Sequence, residues 1–269
     1  DNIFELILSE SLKSKDKSLD FNKVIITTGG NPKKEGFKWL QNLGHKIVSP
    51  APSLFTFNMP DDPIRELPGI ATKNTKIHIQ STKLMYSGEL LITHWGMSGP
   101  AILKLSSFGA RYLHDLDYKF RIQSHWDESH SFQETEDILY RTTESQKRKS
   151  LANGKPIDIP NRLWLHLIKK SGLDPQKPWG DLGKKNIQKL ANILCNDQYS
   201  VRGKTTFKEE FVTAGGVSLD NINHKTMESK AVPGLYFAGE VLDIDGMTGG
   251  YNFQAAWTTA FLAAKLLQT

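Results

Sequence analysis

The sequence predicts a mixed α/β fold, α+β overall, in which a sheet-and-helix domain is interrupted by a long insertion. Two runs near the ends of the chain predict the sheet: the β-branched run Lys23–Thr28 and the short run Leu235–Ala238, each followed by glycine. The third observation is the middle of the chain, which is first rich in proline and alternating strand patterns and then helical.

The first 50 residues predict two strands and one helix. Phe4, Leu6 and Leu8 alternate with Glu5 and Ile7, which is typical of a half-buried strand. We expect a polar turn over Ser9–Asp20. Lys23–Thr28 predicts a strand buried on both faces, and helical spacing follows over Glu35–Gly44.

The later elements follow from the same periodicities. Alternation predicts strands over Lys76–Gln80, Glu89–Thr93 and Tyr118–Ile122, and Glu210–Thr213 is a short apolar run. Helices are predicted over Ala101–Leu113, Glu134–Lys149, Arg162–Lys170, Lys184–Leu194 and Asn252–Leu267.

These elements suggest three regions. Residues 1–51 and 219–269 are expected to form the sheet-and-helix domain, and residues 52–126 and 198–218 a β-rich, barrel-like insertion. Residues 127–197 are expected to form a helical subdomain within that insertion. We expect the two glycine-terminated strands to share one sheet.

Composition limits the class of protein. The chain has 269 residues, 38% hydrophobic and 23% charged, which excludes collagen-like, coiled-coil and disordered chains. No run reaches the roughly 20 apolar residues of a membrane helix, so we expect no membrane contact and a cytoplasmic location. Cys195 is the single cysteine, which excludes an internal disulfide. The oligomeric state is left open.

Charge is concentrated in the helical region. The chain carries +5 overall, too little by itself to indicate nucleic acid, which is not the expected partner. The segment from Arg141 to Lys189, however, contains 12 basic residues and only 4 acidic ones. A solvated helical face is the ordinary interpretation of such a run, and an anionic partner is the alternative.

Glycine turns follow both predicted strands of the sheet. Thr28, Gly29 and Gly30 end the first strand, and Gly239 and Glu240 end the other. Ligands of open α/β sheets bind beyond the carboxyl ends of strands, and glycine lets a backbone approach a ligand closely. The two turns together predict one shared site.

The segment before the last helix points to the same site. Gly249 and Gly250 come directly before Tyr251 and Asn252, where the helix is expected to begin. A helix N-terminus has unpaired N–H groups and a partial positive charge, so it favours an anion or an electron-rich carbonyl.

Carboxylates and histidines supply further candidates. Glu240 could accept hydrogen bonds from sugar-like hydroxyls, or it could be a helix cap or a surface charge; Asp243 and Asp245 compete for the same role. His94, in the turn-rich HWGMSGP, is the one candidate acid or base, although a histidine that stabilises its own loop is the simpler interpretation. No histidine shows metal-ligand spacing, so no metal site is expected.

Four blocks of sequence resemble a known family. VIITTGG (24–30), GELLITHWGMSGPAIL (88–103), VTAGGVSL (212–219) and TMESKAVPGLYFAGEVLDIDGMTGGYNFQAAW (226–257) are similar to the BaiN/HI0933-like family of FAD-dependent flavoproteins. They occur in family order and span most of the chain.

The resemblance implies an FAD-binding, Rossmann-like domain interrupted by the insertion. It places Thr28, Gly29 and Gly30 along the nucleotide, and Glu240 at the ribityl chain. Gly249, Gly250, Tyr251 and Asn252 are then expected at the pyrimidine edge of the flavin. A helix N-terminus there would stabilise negative charge at N1 and the C2 carbonyl.

One motif of the family is absent. No G-x-G-x-x-G, which would hold the FAD diphosphate, occurs in these residues, and the chain begins at Asp1 rather than Met. We therefore expect this chain to correspond to the back two-thirds of such a flavoprotein, to lack FAD and to be inactive by itself.

The sequence thus predicts an FAD-dependent oxidoreductase of unknown small-molecule substrate, with NAD(P)H as an electron source that no residue identifies. The first alternative is an anion- or RNA-binding protein that uses the basic helices. The second is an inert remnant.

Overall fold

The computed structural model describes residues 3–8, 17–205 and 212–265. The chain divides into two compact units. We call Asp1–Ser53 with Glu210–Thr269 the split unit and Leu54–Glu209 the inserted unit. None of the helices in the described part of the chain combines the length and apolarity needed to cross a bilayer.

The split unit begins with an antiparallel pair of strands. β1 (Phe4–Leu8) pairs antiparallel with β2 (Lys17–Phe21). The sequence predicted a polar turn over Ser9–Asp20, and this was wrong for the residues of β2. Leu19 pairs with Leu6 and Phe21 with Phe4, so this segment forms a strand. Residues 9–16 lie outside the described part.

The two glycine-terminated strands pair with each other. β3 (Val24–Ile26) and β13 (Leu235–Phe237) form a parallel two-stranded sheet, so their predicted shared sheet is confirmed. β3 is half-buried rather than buried on both faces as predicted.

A third pair joins the two halves of the split unit. β4 (Ile47–Ser53) runs antiparallel to β12 (Val212–Val217), with a register shift between Ala214 and Gly216. Because of this pairing, Val212–Val217 belongs to the split unit. The sequence predicted residues 198–218 to be part of the insertion.

In the described part of the split unit, two α-helices accompany these strands. α1 (Lys38–Asn42) is short and follows a 3-10 turn over Lys34–Phe37, where one helix was expected. α7 (Tyr251–Lys265) is the C-terminal helix. Phe37, Leu40, Phe237, Val241 and Ala263 belong to the core of this unit.

One sheet dominates the inserted unit. Its strands are β5 (Thr56–Asn58), β6 (Ala71–Ile79), β7 (Met85–Thr93), β8 (Gly96–Ser98), β9 (Lys119–His125), β10 (Asp197–Arg202) and β11 (Lys204–Thr205), in the spatial order β10-β9-β6-β7-β8-β5-β11. The edge strands β10 and β11 are consecutive in the chain, joined at Gly203. No ladder joins them in the described residues, so the expected barrel-like insertion is an open sheet.

Helices of the inserted unit follow the predicted periodicities. They are α2 (Pro100–Phe108), α3 (Ala110–Asp115), α4 (Phe132–Ser145), α5 (Asn161–Lys170) and α6 (Lys184–Asn196). The expected helix 101–113 is split at Gly109. A capping box of Ser131 and Glu134 begins α4, because each side chain satisfies the other residue's backbone N–H.

The helices and the sheet share one core. Leu139 of α4, Trp164 of α5 and Leu190 of α6 belong to the same cluster of buried residues as Ile77 and Ile122 of the sheet. Mixed α/β architecture is therefore confirmed, but residues 127–197 do not separate as a compact subdomain.

Candidate functional site

The glycine turns meet at one edge of the small parallel sheet. Register pairs Val24 with Leu235 and Ile26 with Phe237, and the Ala238 N–H donates to the Ile26 carbonyl at 3.0 Å. Because both strands point the same way, Thr28–Gly30 and Gly239–Glu240 leave the sheet at the same edge.

Gly30 and Glu240 converge on a third residue, Thr213. The Thr213 N–H donates to Oε1 of Glu240 at 2.8 Å. A Cβ added to Gly30 would lie 3.0 Å from Cβ of Thr213 and 3.2 Å from Cδ of Glu240. A side chain at position 30 would therefore push this pair apart, which is a specific reason for glycine there.

Thr213 was not predicted as part of the site, although its block VTAGGVSL carried the resemblance. The two glycines of this block, Gly215 and Gly216, are required by the backbone conformation, since their φ angles are 104° and 133°. An added Cβ would lie 2.5 Å from the Ser49 carbonyl oxygen at Gly215 and 2.5 Å from that of Val241 at Gly216. The glycines thus bulge β12 and admit the turn that carries Glu240.

The C-terminal helix fixes that turn from its other side. The Gly239 N–H donates to Oγ1 of Thr259 at 2.9 Å, and that hydroxyl donates in turn to the Ala255 carbonyl at 2.8 Å. A Cβ added to Gly239 would lie 3.9 Å from Cβ of Ala256, and φ of Gly239 is 78°. The small face of α7 therefore lies against the glycine turn.

The start of α7 is held by a reciprocal amide pair. The Gly246 N–H donates to Oδ1 of Asn252 at 2.7 Å, and Nδ2 of Asn252 donates to the Gly246 carbonyl at 2.9 Å. The Gln254 N–H donates to the Gly250 carbonyl at 2.9 Å, as the first bond of the helical series. The backbone N–H groups of residues 251–253 therefore have no partner of that series.

Gly249 and Gly250 are constrained by conformation rather than by crowding. Their φ angles are 116° and 86°, in the region that favours glycine. A Cβ added to Gly250 would have no atom within 4 Å. Tyr251 is largely exposed.

Glu240 keeps one oxygen for a further partner. Among the residues that the structure describes, Oε2 of Glu240 has no hydrogen bond, whereas Oε1 accepts from Thr213. Oδ2 of Asp245 accepts from Oγ of Ser53 at 3.2 Å, and Asp243 also has partners. Glu240 is therefore the better placed of the three competing carboxylates.

His94 lies in the inserted unit, on the exposed turn between β7 and β8. Its backbone carbonyl accepts from Nε of Arg65 at 2.8 Å. The neighbouring glycines are explained by packing, because an added Cβ at Gly96 would lie 2.2 Å from the Phe57 carbonyl oxygen. A catalytic role of His94 stays a prediction.

His45 is the buried histidine of the split unit. Its Nδ1 lies 3.1 Å from the Leu40 carbonyl oxygen and its Nε2 2.8 Å from Oγ of Ser229. Burial lowers the pKa of His45, although the bond to Leu40 acts in the opposite sense. The ring packs edge-on against Phe237 of β13, which indicates a structural role. Within the described ranges, no group of three or more His, Cys, Asp and Glu side chains could hold a metal ion.

Sequence comparison finds relatives with two different names. Ribosomal RNA dihydrouridine synthase of Escherichia coli (strain K12) is 29% identical over 259 residues, covering 90% of this chain and 60% of that protein. The protein of the same name from Haemophilus influenzae is 29% identical over 256 residues, covering 90% and 59%. The 3-dehydro-bile acid delta(4,6)-reductase of Clostridium scindens is 25% identical over 267 residues, covering 91% and 61%.

The chain spans about three-fifths of the length of the curated relatives it matches. The family model described as HI0933-like protein Rossmann domain matches residues 6–266, nearly all of the chain. The Rossmann-type edge of β3 and β13 lies inside that match, with the glycine turns and the start of α7. The chain belongs to the HI0933-like Rossmann-domain family.

Proposed function

We propose that the protein is a flavoprotein oxidoreductase that uses FAD, and that the split unit contacts the flavin and ribityl parts of that cofactor. The observation that carries the proposal is Glu240, whose Oε2 has no hydrogen-bond partner among the described residues at the shared edge of β3 and β13. This is the edge where α/β sheets bind nucleotides.

The residues present fit part of FAD. Oε2 of Glu240 can accept a hydrogen bond from a hydroxyl, as a ribityl chain would offer. Gly29 leaves its surroundings open, since an added Cβ would meet no atom within 4 Å. The start of α7 directs N–H groups and a partial positive charge outward. No G-x-G-x-x-G for the diphosphate occurs in the 269 residues.

FAD, when bound, supplies hydride chemistry that no side chain can perform. Glu240 orients the cofactor through a hydroxyl, while Thr213 holds its carboxylate in place. The N–H groups at the start of α7 stabilise negative charge nearby. Gly29, Gly30 and Gly239 keep side chains out of the cofactor's space, and Thr28 leads the chain into this turn.

A reduction is the best-supported reaction class. Both kinds of relative are named for products or activities of reduction, on ribosomal RNA in one case and on a 3-dehydro-bile acid in the other. NAD(P)H as the electron donor is part of the proposal and has no assigned site.

The visible spectrum tests the cofactor. The complete natural polypeptide that contains this chain should purify with bound flavin. Glu240→Gln keeps an oxygen for the Thr213 N–H but removes the charge, and should lose part of the flavin. Glu240→Leu should lose more. A colourless wild-type polypeptide that also fails to take up added FAD would contradict the proposal.

RNA is a second candidate substrate class. The relatives at 29% identity are named for ribosomal RNA, and the inserted unit carries the basic run from Arg141 to Lys189. Lys147, Arg148 and Lys149 are all exposed. A steep fall of RNA affinity with salt would support this candidate, because phosphate contacts release counterions.

A further inference from the structure

Two basic segments of the inserted unit, distant in sequence, lie against each other. One is the turn that follows α4, and the other is the segment that leads into α6. The Trp179 N–H donates to the Lys149 carbonyl at 2.9 Å, and the Leu151 N–H donates to the Lys177 carbonyl at 3.0 Å. The two segments are therefore joined through their backbones, and their basic residues are gathered in one place.

Packing fixes the position of both segments. Trp179 and Leu151 are fully buried, and the Trp179 ring stacks on Trp164 with centroids 6.3 Å apart. The Gly180 N–H donates to the Lys147 carbonyl at 3.0 Å, and a Cβ added to Gly180 would lie 3.2 Å from that oxygen. Glycine thus permits the close approach, and the surrounding basic side chains extend from a well-anchored backbone.

The start of α6 adds two cations to this place. Lys184 and Lys185 are the first residues of the helix, shortly after Gly180. Four residues span at most about 14 Å, so Lys184 lies within that distance of Gly180. Lys177 is partly buried and the other basic residues here are exposed. We call the six together the basic platform: Lys147, Arg148, Lys149, Lys177, Lys184 and Lys185.

The charge of the basic platform is only partly balanced within the protein. Residues 144–151 and 177–185 contain its six basic residues and two acidic ones, Glu144 and Asp181. Oε2 of Glu144 lies 2.9 Å from Nζ of Lys147. The other five cations form no ion pair or side-chain hydrogen bond within the described part of the chain.

Other cations of the same basic run are used by the fold. Nη2 of Arg162 donates to the Glu66 carbonyl at 3.2 Å, and Nζ of Lys170 lies 2.6 Å from Oδ1 of Asp197. The run from Arg141 to Lys189 therefore contains two kinds of cation. Some stabilise the inserted unit, whereas most of those in the basic platform are available to a partner.

The basic platform does not favour the stability of α6. No acidic residue lies in the first turn of this helix, and its N-cap, Gly183, has no side chain to cap it. A helix N-terminus carries partial positive charge, so Lys184 and Lys185 are disfavoured there, and neighbouring cations repel each other. Anionic groups of a partner would relieve this repulsion.

We propose that the basic platform binds the phosphate backbone of an RNA without reading its sequence. The proposal rests on RNA as the substrate class, which is the second candidate above. Lysine and arginine neutralise phosphates and release counterions, which supplies most sequence-independent affinity for nucleic acid. Phosphate contacts position a nucleic acid, whereas base contacts select its sequence. The basic platform therefore positions the RNA on the inserted unit.

The salt dependence of RNA binding tests the proposal on the complete natural polypeptide that contains this chain. The probe is a uridine oligomer of about 15 nucleotides, followed by fluorescence anisotropy between about 0.05 and 0.2 M salt. Each phosphate contact of a single strand contributes about −0.7 to the slope of log affinity against log salt.

Paired substitutions test the two segments separately. Arg148→Gln with Lys149→Gln should lower the magnitude of the slope by about 1.4, and so should Lys184→Gln with Lys185→Gln. Either pair should weaken binding about 25-fold at 0.1 M salt, as two lost contacts of that size imply. All four substitutions together should lower the slope by about 2.8.

The matched control removes two positive charges elsewhere in the inserted unit. Lys73 and Arg121 are exposed and lie outside the basic platform. Lys73→Gln with Arg121→Gln should leave the slope unchanged. Thermal unfolding checks that each variant is folded. Polyglutamate at matched charge should displace the RNA only weakly.

Four outcomes would overturn the basic platform as an RNA site. They are no RNA affinity in the wild type, an equal loss from the control pair, unchanged binding after substitution of Lys184 and Lys185, and displacement by polyglutamate as strong as by RNA. The last would indicate an acidic polypeptide as the partner.

The visible spectrum of the same samples keeps this test distinct from the flavoprotein proposal. A polypeptide that contains flavin and binds RNA equally well in all variants contradicts only the basic platform. A colourless polypeptide whose RNA affinity depends on the basic platform contradicts only the flavin.

Discussion

The two units bury their apolar side chains to different extents. In the inserted unit, the sheet and helices enclose one core that contains the fully buried Trp126, Trp164 and Trp179. The six most exposed large apolar side chains of the described residues all lie in the split unit, each at least 58% exposed. They are Ile3, Ile7, Tyr251, Phe253, Trp257 and Phe261.

Three of these residues follow one another along a single helix face. Phe253, Trp257 and Phe261 are spaced by four, and the first two rings stack with centroids 6.1 Å apart. Thr259 and Ala263, on the other side of α7, are buried. Contiguous apolar patches are rarely exposed on stable monomers. The loops proposed to contact the cofactor therefore belong to the split unit, which leaves more of its large apolar side chains exposed.

Separation of the two units into two polypeptides should have the largest effect on folding. A polypeptide of residues 54–209 should fold by itself and unfold cooperatively, since its core is closed within that range. The joined halves of the split unit should instead bind a hydrophobic dye and lack a cooperative transition. Calorimetry of both polypeptides measures the cooperativity of unfolding. Cooperative unfolding of the joined split unit, with none in residues 54–209, would contradict the difference between the two cores.

FAD titration tests the split unit directly. The isolated chain should bind FAD poorly or not at all, because its 269 residues contain no G-x-G-x-x-G for the diphosphate. The remaining contacts must also offset the cost of immobilising a flexible ligand. Micromolar or tighter affinity in a titration would show that the main anchor of the cofactor has been misplaced.

Gly250→Val should abolish flavin binding in the complete polypeptide. A side chain would enter the open space beside the start of α7, and the positive φ would strain any non-glycine residue. Gly172→Val in the inserted unit is the matched control, since its φ is 77° and an added Cβ would also meet nothing within 4 Å. Visible absorbance and melting temperature separate the two effects. Normal flavin content in Gly250→Val would refute the placement.

Asp197→Ala should destabilise the inserted unit by about 3–5 kcal/mol, because it leaves the partly buried Lys170 ammonium without its counter-charge and two buried donors without their acceptor. The Asp197 carboxylate is fully buried, 2.6 Å from Nζ of Lys170, and also accepts from Nε1 of Trp126 at 3.0 Å and from the Tyr199 hydroxyl. Burial, then the Asp197 charge, raises the pKa of Tyr199, so the hydroxyl keeps its proton.

The control for Asp197 is an exposed ion pair. Asp117→Ala removes the exposed contact with Lys119 and should cost far less stability than Asp197→Ala, because water screens an exposed pair. Urea unfolding measures both variants. A similar loss of stability from the two substitutions would show that the Asp197 pair contributes no more than a surface contact.

Reversal of the basic run should have the smallest effect on the flavin. Lys147, Arg148 and Lys149 are exposed, and Nζ of Lys147 pairs with Glu144 at 2.9 Å. Their triple replacement by Glu should leave flavin content and turnover of a small substrate within a few-fold. RNA affinity should fall and its salt dependence flatten if RNA is the substrate. A large loss of small-substrate turnover with flavin retained would indicate an anionic substrate docking there.

Periodicity in the sequence predicted most elements of the fold. β9 and α6 arise from apolar spacings that are visible within ten or so residues, because the hydrophobic face of a strand or helix is a local property. The sequence also predicted that β3 and β13 share one sheet, since both strands end in glycine turns; their direct parallel pairing came from the structure. The strand β2 was missed because all five of its residues are exposed and Leu19 and Phe21 are its only apolar ones.

Contacts between distant parts of the chain determine which residues meet. The bond between Thr213 and Glu240 joins residues 27 positions apart, and the Gly215–Gly216 bulge that admits it depends on contacts with two other strands or turns. The open sheet and the boundary before β12 likewise depend on long-range pairing. The local conformations and the residue types of the site could be read from the sequence, because they follow from residue spacing and backbone freedom. The partner of each polar atom was decided by the register of strands distant in sequence.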